Sequence, residues 1–207
     1  MTDKLMDGSC TAFADALAAK VSVPGGGGAA AYVGALGVAL CSMVGNFTTG
    51  KKKYAEYEED IQRMLAEGEE IRARLLELVD EDAEAFFPLS QAYAIPKEDP
   101  TRAEVLERCT KHALAGPLEM MRQIARSVEL LEEMQAKGSR LLLSDVGCGA
   151  ACAAAALRSA ALNVFINTNA LTDRDFATRV EAEADALLAY VPRAEAVADA
   201  VCASLRE

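Results

Sequence analysis

The fold is decided by residues 21–54, VSVPGGGGAAAYVGALGVALCSMVGNFTTGKKKY. This stretch holds no charged residue from Val21 through Gly50 and then has three lysines in succession. Apolar residues at helical spacing predict a helix from Ala29 to Phe47, after a break at Pro24 and the glycines. The uncharged stretch is long enough to cross a bilayer, but 13 of its 30 residues are Ala or Gly, which gain little from contact with lipid. We therefore predict a core helix and no membrane span.

The predicted helix has two unlike faces. At 100° per residue, one face carries small residues, and a face about a third of a turn away carries bulky ones. Small residues let a second helix approach closely, so the small face is a candidate for a contact between subunits. The small face comprises Ala30, Gly34, Gly37, Cys41 and Gly45, and the bulky face comprises Val33, Leu36, Leu40, Met43 and Phe47.

The composition of the chain excludes several classes of protein. With 207 residues and 52% apolar content, the chain suits a single domain, residues 1–207, with a full core. The net charge is −11, so the chain as a whole lacks the basic surface that nucleic-acid binding requires. The chain has one histidine, His112, so a zinc site would have almost no ligands. The six cysteines form no CxxC motif and are interpreted as reduced, buried small hydrophobes. The first residues contain no apolar secretory segment, so a cytoplasmic location is expected.

Helical periodicity continues along the rest of the chain, without a convincing alternating strand. We expect an all-α fold, a bundle of long helices in which the Ala/Gly-rich members pack closely. Caps and prolines set the expected boundaries. The predicted helices are Thr11–Lys20; Ala29–Phe47; Tyr54 to about Ala94, kinked or ended by Pro88; Thr101–Lys137, interrupted at Pro117 and capped by Gly138; Asp145 to about Asn167, capped by Ser144; one from Thr172 or Asp173 to Tyr190; and one starting at Pro192.

Two motifs that flank the apolar helix are suited to anions. Gly25–Gly28 predict a flexible loop of free N–H groups in front of a helix, which suits a carboxylate or phosphate. A tight crossing between close helices is the alternative. Lys51, Lys52 and Lys53 are the only run of three basic residues, and they predict capture of an anionic substrate. A solvated cap of the helix is the alternative.

Asp82 is the most suggestive carboxylate. On a helical wheel it falls within the apolar stripe of its helix, between Val79 and Phe86. A carboxylate on a buried face needs a partner or a role. Asp82 is therefore either half of a satisfied ion pair or a catalytic group.

Four polar residues share one face of the Ala-rich helix: Asp145, Ser159, Asn163 and Asn167. Asp145 and Asn163 are eighteen positions apart, which is about 27 Å along a helix. One copy of this helix cannot bring both to one small reacting centre. We expect them to serve opposite ends of a long ligand or two sites. For the asparagines, hydrogen bonds between helices are the alternative.

Taken together, these stretches resemble the cyclodeaminase/cyclohydrolase family, which includes the C-terminal domain of formiminotransferase-cyclodeaminase and stand-alone methenyltetrahydrofolate cyclohydrolases. The resemblance rests on blocks that occur in order over nearly the whole chain. In the first block the family often has a serine where this chain has Gly28, and the consequence of that difference stays open. The blocks are VPGGGGAAAYVGALGVALCSMVGNFTTGKKKY (residues 23–54), DEDAEAF (80–86), GPLEM (116–120) and SDVGCGAACAAAALRSAALNVFIN (144–167).

The resemblance implies a homodimer with a folate site near the dimer interface, and no metal or redox cofactor. The substrate would be a tetrahydrofolate that carries a one-carbon unit on N5 and N10, with or without a polyglutamate tail. Asp82, Asp145 and Lys52 are the candidate catalytic residues, for acid/base work or stabilisation of a cation. The candidate substrate-binding residues are Pro24, Gly25, Gly26, Gly27, Gly28, Lys51, Lys53, Ser144, Asn163 and Asn167.

Three functions follow from the resemblance. We expect a methenyltetrahydrofolate cyclohydrolase, which adds water to 5,10-methenyl-tetrahydrofolate to give 10-formyl-tetrahydrofolate, because no transferase is fused to this domain. The alternative is a formiminotetrahydrofolate cyclodeaminase, which closes 5-formimino-tetrahydrofolate and releases ammonia. A third interpretation is a non-catalytic helical dimer that binds folate, and the intact GKKKY, DEDA and SDVG motifs argue against it.

Overall fold

The computed structural model describes residues 4–206, and over that range it contains helices and no strand. The predicted all-α class is confirmed. Three short 3-10 helices occur at Leu5–Asp7, Lys52–Tyr57 and Arg140–Leu142. The α-helices are α1 (Cys10–Ala18), α2 (Gly26–Thr48), α3 (Glu58–Tyr93), α4 (Arg102–Lys137), α5 (Leu143–Ala170), α6 (Arg174–Leu188) and α7 (Tyr190–Ser204).

Helices α2 and α5 lie side by side at the centre of the bundle and run antiparallel. A Cβ added to Gly37 of α2 would come within 2.9 Å of the carbonyl oxygen of Gly149 of α5, and the reverse distance is the same. Gly26, at the start of α2, faces Asn163, near the end of α5. Backbone therefore meets backbone at the crossing, and the predicted close packing of Ala/Gly-rich helices is confirmed.

Helices α3 and α4 form a long antiparallel hairpin against this pair. Each has 36 residues, or about 54 Å, whereas α2 has 23 residues. Gly45 of α2 faces Leu65 of α3, and Gly28 faces Val79. The last part of α3 therefore extends past the start of α2. This extension has a small core of its own, formed by Leu89, Ala92, Cys109 and Ala113.

Two prolines that were expected to disturb helices lie within continuous ones. Pro117 is buried inside α4 and does not interrupt it, and α3 continues past Pro88 to Tyr93. A proline removes one backbone hydrogen bond from a helix. Here the apolar faces buried along both arms of the hairpin outweigh that loss, because tertiary packing supplies most of the stability of a helix.

The starts of α2 and α5 also differ from the prediction. Gly25 is the N-cap residue, and Gly26–Gly28 form the first turn of α2 instead of a flexible loop. Helix α5 begins at Leu143, so Ser144 lies within its first turn and does not cap it. The preceding 3-10 helix leads directly into α5, which leaves no extended residue to act as a cap. The predicted cap at Asp173 is confirmed, since its side chain accepts a hydrogen bond from the Phe176 N–H at 3.0 Å.

The small face of α2 points into the bundle and the bulky face points outward, which is the opposite of what we expected. The small face is buried within the subunit, where a Cβ at Gly34 would lie 2.9 Å from Ile124 of α4. The bulky face points outward, with Leu36 45% and Phe47 56% exposed. The expectation of a subunit contact through the small face is therefore wrong, because helices α3, α4 and α5 of the same chain crowd that side of α2.

The cysteines are all free, as predicted, but the predicted burial is confirmed for only two of the six. Cys41 and Cys109 are buried, and Cys152 is partly buried. Cys10, Cys148 and Cys202 are exposed. Cys148 and Cys202 lie on Ala-rich helices whose outer faces are open to solvent, so an apolar sequence context did not imply burial there.

Two helical stretches, Gly26–Thr48 and Arg140–Ala170, are long and apolar enough to cross a membrane by length and composition. In the folded chain, 56% and 50% of their most apolar windows are buried inside the bundle. The core helices of a globular domain have the same property.

Candidate active site

The start of α2 presents backbone N–H groups beside a carboxylate. The first N–H groups of a helix have no partner within the helix and carry the positive end of its dipole. At this helix start they belong to Gly26, Gly27 and Gly28, and Pro24 is buried just before them. A Cβ on Gly27 would come within 2.6 Å of the carboxyl carbon of Asp82. Only glycine at this position lets Asp82 lie against the helix.

Asp82 is partly buried and has one stabilising partner. The N–H of Gly28 donates a hydrogen bond to its carboxylate, which lowers the pKa, but burial has the larger effect and raises the pKa from 3.8 to about 6. No lysine or arginine within residues 4–206 contributes to this balance, so the ion pair considered for Asp82 is not formed there. A carboxylate with a pKa near neutrality is suited to accept and return protons.

Asn163 approaches the same helix start from the α5 side. A Cβ on Gly26 would lie 3.3 Å from the Asn163 Nδ2 atom. Asn163 and Asn167 each donate to a carbonyl four residues earlier in α5, at 2.8 Å, and do not link helices as the structural alternative required. The structure thus brings together Pro24, the glycines, Asp82 and Asn163, with Asn167 one turn further along α5. We call this group the glycine end.

The lysine run lies at the other end of α2, on a braced turn. Gly50 has a φ of +72°, a left-handed conformation that favours glycine. The Glu58 carboxylate accepts from the Gly50 N–H at 2.8 Å and also from the Thr49 hydroxyl. The three lysine side chains are exposed, and no ion pair involves them among the described residues. The turn therefore holds three cations outward in an acidic protein.

Ser144 and Asp145 lie in the first turn of α5, a few residues after the segment that contacts this turn. Ser144 is exposed and Asp145 is partly buried. The Arg140 N–H, just before α5, donates to the Tyr54 hydroxyl at 3.0 Å, which joins the start of α5 to the residue that follows the lysines. Lys51–Lys53, Ser144 and Asp145 form a second group, which we call the lysine end.

Sequence reasoning missed three residues that shape the lysine end: Tyr54, Glu58 and Arg140. Tyr54 is part of the GKKKY motif, and its place in an otherwise charged segment was an available signal for burial. Nothing in the sequence indicated Glu58 or Arg140, because their roles depend on a turn conformation and on a contact 86 residues apart.

The two ends are far apart within one subunit. They are separated by the 23 residues of α2, a length of about 34 Å. The candidate catalytic residues are therefore divided, with Asp82 at the glycine end and Asp145 and Lys52 at the lysine end. Within residues 4–206, no three His, Cys, Asp or Glu side chains are grouped as a metal site requires.

Comparison with known proteins gives consistent results. The model of the formiminotransferase-cyclodeaminase family matches residues 9–186. The chain is 42% identical over 181 residues to a methenyltetrahydrofolate cyclohydrolase of Methylorubrum extorquens, covering 86% of this chain and 87% of that protein. It is 32% identical over 188 residues to formimidoyltransferase-cyclodeaminase of Mus musculus, covering 89% of this chain and 35% of that protein.

The fold agrees with a solved structure. The crystal structure of formiminotetrahydrofolate cyclodeaminase from Thermotoga maritima superposes with a TM-score of 0.90 and 27% sequence identity. The match covers 99% of this chain and 100% of that one. This chain therefore belongs to the formiminotransferase-cyclodeaminase family, as its sequence motifs predicted.

Proposed function

We propose that this protein is a methenyltetrahydrofolate cyclohydrolase, which adds water to 5,10-methenyl-tetrahydrofolate and releases 10-formyl-tetrahydrofolate. The observation that carries the proposal is the 42% identity to a cyclohydrolase over 87% of that protein's length. The identity to the mouse bifunctional protein is 32%, and the match spans about a third of that protein.

The chemistry requires acid and base groups. The methenyl carbon bridges N5 and N10 and shares a positive charge with them. A water oxygen bonds to this carbon while a base removes one water proton. The bond from the carbon to N5 then breaks, N5 takes up a proton, and the remaining hydroxyl loses its proton to become the formyl oxygen. The sum is one water consumed and one proton released, with no change in oxidation state, so we propose no cofactor beyond the folate.

Asp82 suits the role of the base. Its pKa near 6 leaves it mostly ionised at pH 7, yet basic enough to accept a proton from an attacking water. Its negative charge also stabilises a cationic substrate. The free N–H groups of Gly26 and Gly27 and the Asn163 amide provide hydrogen bonds nearby, which suits recognition of the polar edge of a folate.

Lys52 and Asp145 lie at the lysine end, too far from Asp82 of the same chain to reach one substrate. We propose that a homodimer completes the site. The outward face of α2 and α5 carries exposed apolar side chains that would be covered by a second copy: Leu36, Phe47, Leu162 and Ile166. A two-fold axis running across these helices sets the glycine end of one copy opposite the lysine end of the other.

Mixing two variants of strongly reduced activity tests this shared site. Asp82→Asn damages the glycine end, and Lys52→Gln damages the lysine end. Suppose that each site combines the glycine end of one subunit with the lysine end of the other. Half of the dimers in an equal mixture are then heterodimers, and each heterodimer has one intact site out of two. Activity then recovers to about a quarter of the wild-type value. Two variants of the same end, Lys52→Gln mixed with Asp145→Asn, serve as the control and should show no recovery.

A protein that is monomeric in native mass measurements, or a mixture without recovery, would contradict the shared site. Leu36→Glu provides a further check, since a charge in the apolar face should dissociate the dimer. The helical content of this variant, measured by circular dichroism, shows whether the subunit still folds.

The cyclodeaminase reaction is the second candidate, favoured by the Thermotoga maritima superposition at a TM-score of 0.90. In that reaction N10 attacks the formimino carbon, the imino nitrogen gains the proton lost from N10 and one further proton, and the bond from the carbon to that nitrogen breaks to release ammonia. The same carboxylate at the glycine end would then remove the N10 proton. A non-catalytic folate-binding dimer is the third candidate, and the burial of Asp82 beside one N–H donor and no cation argues against it.

One pair of assays separates the three candidates. The purified protein is mixed with 5,10-methenyl-tetrahydrofolate, and the loss of near-ultraviolet absorbance is compared with the uncatalysed rate. It is then mixed with 5-formimino-tetrahydrofolate, and ammonia is measured. Acceleration of the first reaction alone supports the cyclohydrolase, acceleration of the second alone overturns it in favour of the cyclodeaminase, and folate binding without either reaction supports the scaffold.

A further inference from the structure

Two hydroxyl groups, those of Thr48 and Tyr54, join the lysine turn to the segment that leads into α5. Thr48, the last residue of α2, is fully buried. Its Oγ1 donates to the Val44 carbonyl at 2.7 Å and accepts from the Ser139 N–H at 2.8 Å. The Tyr54 hydroxyl accepts from the Arg140 N–H at 3.0 Å. The turn that carries the lysines is thus fixed at its beginning and at its end to two consecutive residues before α5.

A second set of hydrogen bonds fixes the turn internally. Glu58 holds the Thr49 hydroxyl and the Gly50 N–H, and Gln62 donates to both Thr49 and Glu58. The Lys53 ammonium lies 5.4 Å from the centre of the Tyr54 ring. These contacts brace the turn internally, and the two hydroxyl contacts join it to the segment that precedes Asp145.

We propose that Thr48 and Tyr54 are positioning residues, whose hydroxyl groups set the backbone that carries Lys52 against the backbone that carries Asp145. This inference rests on the proposed function, in which both residues serve the same substrate. A lysine side chain has four flexible bonds, so its ammonium can be directed only if its backbone is fixed. A displacement of about 1 Å is enough to reduce turnover strongly.

The two contacts are made by groups that apolar packing alone does not require. Valine would fill the space of Thr48, and phenylalanine would fill that of Tyr54, without accepting a hydrogen bond. Each would leave an N–H of the segment before α5 without its partner, and the turn could then shift. By contrast, the buried hydroxyl of Ser127 donates to Ile124 of its own helix at 2.6 Å and joins no second segment.

The experiment compares Thr48→Val and Tyr54→Phe with two matched controls. Ser127→Ala removes a buried hydroxyl that stays within one helix. Tyr190→Phe removes a hydroxyl that donates to Glu129 at 2.9 Å on the protein surface. We expect kcat to fall about tenfold or more in the first two variants with KM changed less than about threefold, and both controls to keep wild-type values. Thr48→Ser keeps the hydroxyl and should restore kcat.

A double variant separates positioning from a general loss of structure. If Tyr54 acts through Lys52, adding Tyr54→Phe to Lys52→Gln should lower kcat by less than about twofold more. Amide hydrogen exchange of residues 49–54 and 139–145 gives a readout that needs no activity, and exchange should quicken in Thr48→Val and Tyr54→Phe alone.

The possible failures are distinct. If the wild-type protein turns over neither folate, the proposed function fails, and the exchange rates still show whether the hydroxyls fix the turn. The inference is overturned by an active wild type in which Thr48→Val and Tyr54→Phe keep wild-type kcat. It is also overturned by unchanged exchange in both segments, or by full additivity of Tyr54→Phe with Lys52→Gln.

Discussion

Replacing Asp82 with asparagine should stabilise the folded protein while it abolishes turnover. The carboxylate has a pKa of 3.8 in an unfolded chain and about 6 in the folded one, because burial disfavours its charged form. This difference corresponds to at most about 3 kcal/mol of folding free energy. Asparagine has nearly the same shape, carries no charge, and can still accept the Gly28 N–H through Oδ1.

The sign of the effect fixes its pH dependence. The folded state binds the Asp82 proton more tightly than the unfolded state does, so ionisation of Asp82 costs the folded state free energy. The cost is absent below about pH 4, grows between pH 4 and 6, and is complete above pH 6. The variant should therefore match the wild type near pH 4 and exceed it at pH 7.

The measurement is urea or thermal unfolding of both proteins at one protein concentration across pH 4 to 8. For a chain of this length, the full effect raises Tm by about 6–12 °C at pH 7. A variant that is no more stable than wild type at pH 7, or whose advantage does not depend on pH, would refute the argument that Asp82 is held ionised at a cost. Activity is measured on the same samples, with loss of turnover expected to accompany the gain in stability.

Three further outcomes are expected. The value of kcat/KM for methenyl-tetrahydrofolate should fall below about pH 6, because protonated Asp82 cannot act as a base, and a steady-state pH profile measures this limb. In urea unfolding, Gly27→Ala should destabilise the protein by about 1–3 kcal/mol, because its Cβ would displace the Asp82 carboxylate. A Cβ at Gly28 meets nothing closer than 3.6 Å, so Gly28→Ala should be neutral or stabilising by up to about 1 kcal/mol. Gly37→Ala should lower the free energy of unfolding by about 1–3 kcal/mol, since its Cβ would press on the α5 backbone. Gly116 has open space around it, so Gly116→Ala should stabilise α4 through its higher helix propensity. A destabilised Gly116→Ala would show that helix propensity does not decide the effect of alanine at this position.

The sequence was sufficient for the helical class and for the pairing of its Ala/Gly-rich helices, because those features follow from periodicity and side-chain size. It was not sufficient to say which face of α2 points outward. Both faces are apolar, and the outcome depends on how many neighbours crowd each side: Gly34 meets Ile124, whereas Leu36 meets solvent. Periodicity locates a face, but only the assembled bundle shows what lies against it.

The candidate site shows the same limit. Asp82 was identified from its position in an apolar stripe, and the structure adds its single N–H partner and the crowding at Gly27. The distance between Asp145 and Asn163 also followed from helical rise alone. The sequence did not reveal that Tyr54 and Arg140 meet, because that contact depends on the chain returning to the end of α2 after the whole α3–α4 hairpin.

The outer part of the α3–α4 hairpin has a consequence for how the protein melts. Its small core of Leu89, Ala92, Cys109 and Ala113 contains one large aliphatic side chain, whereas the main core contains many. We therefore expect this arm to unfold as a unit of its own, at a lower temperature than the bundle, and to be the first point of proteolytic cleavage. Asp82 lies where the arm joins the bundle, so a folate bound there would protect the arm from protease although most of the arm lies beyond the ligand.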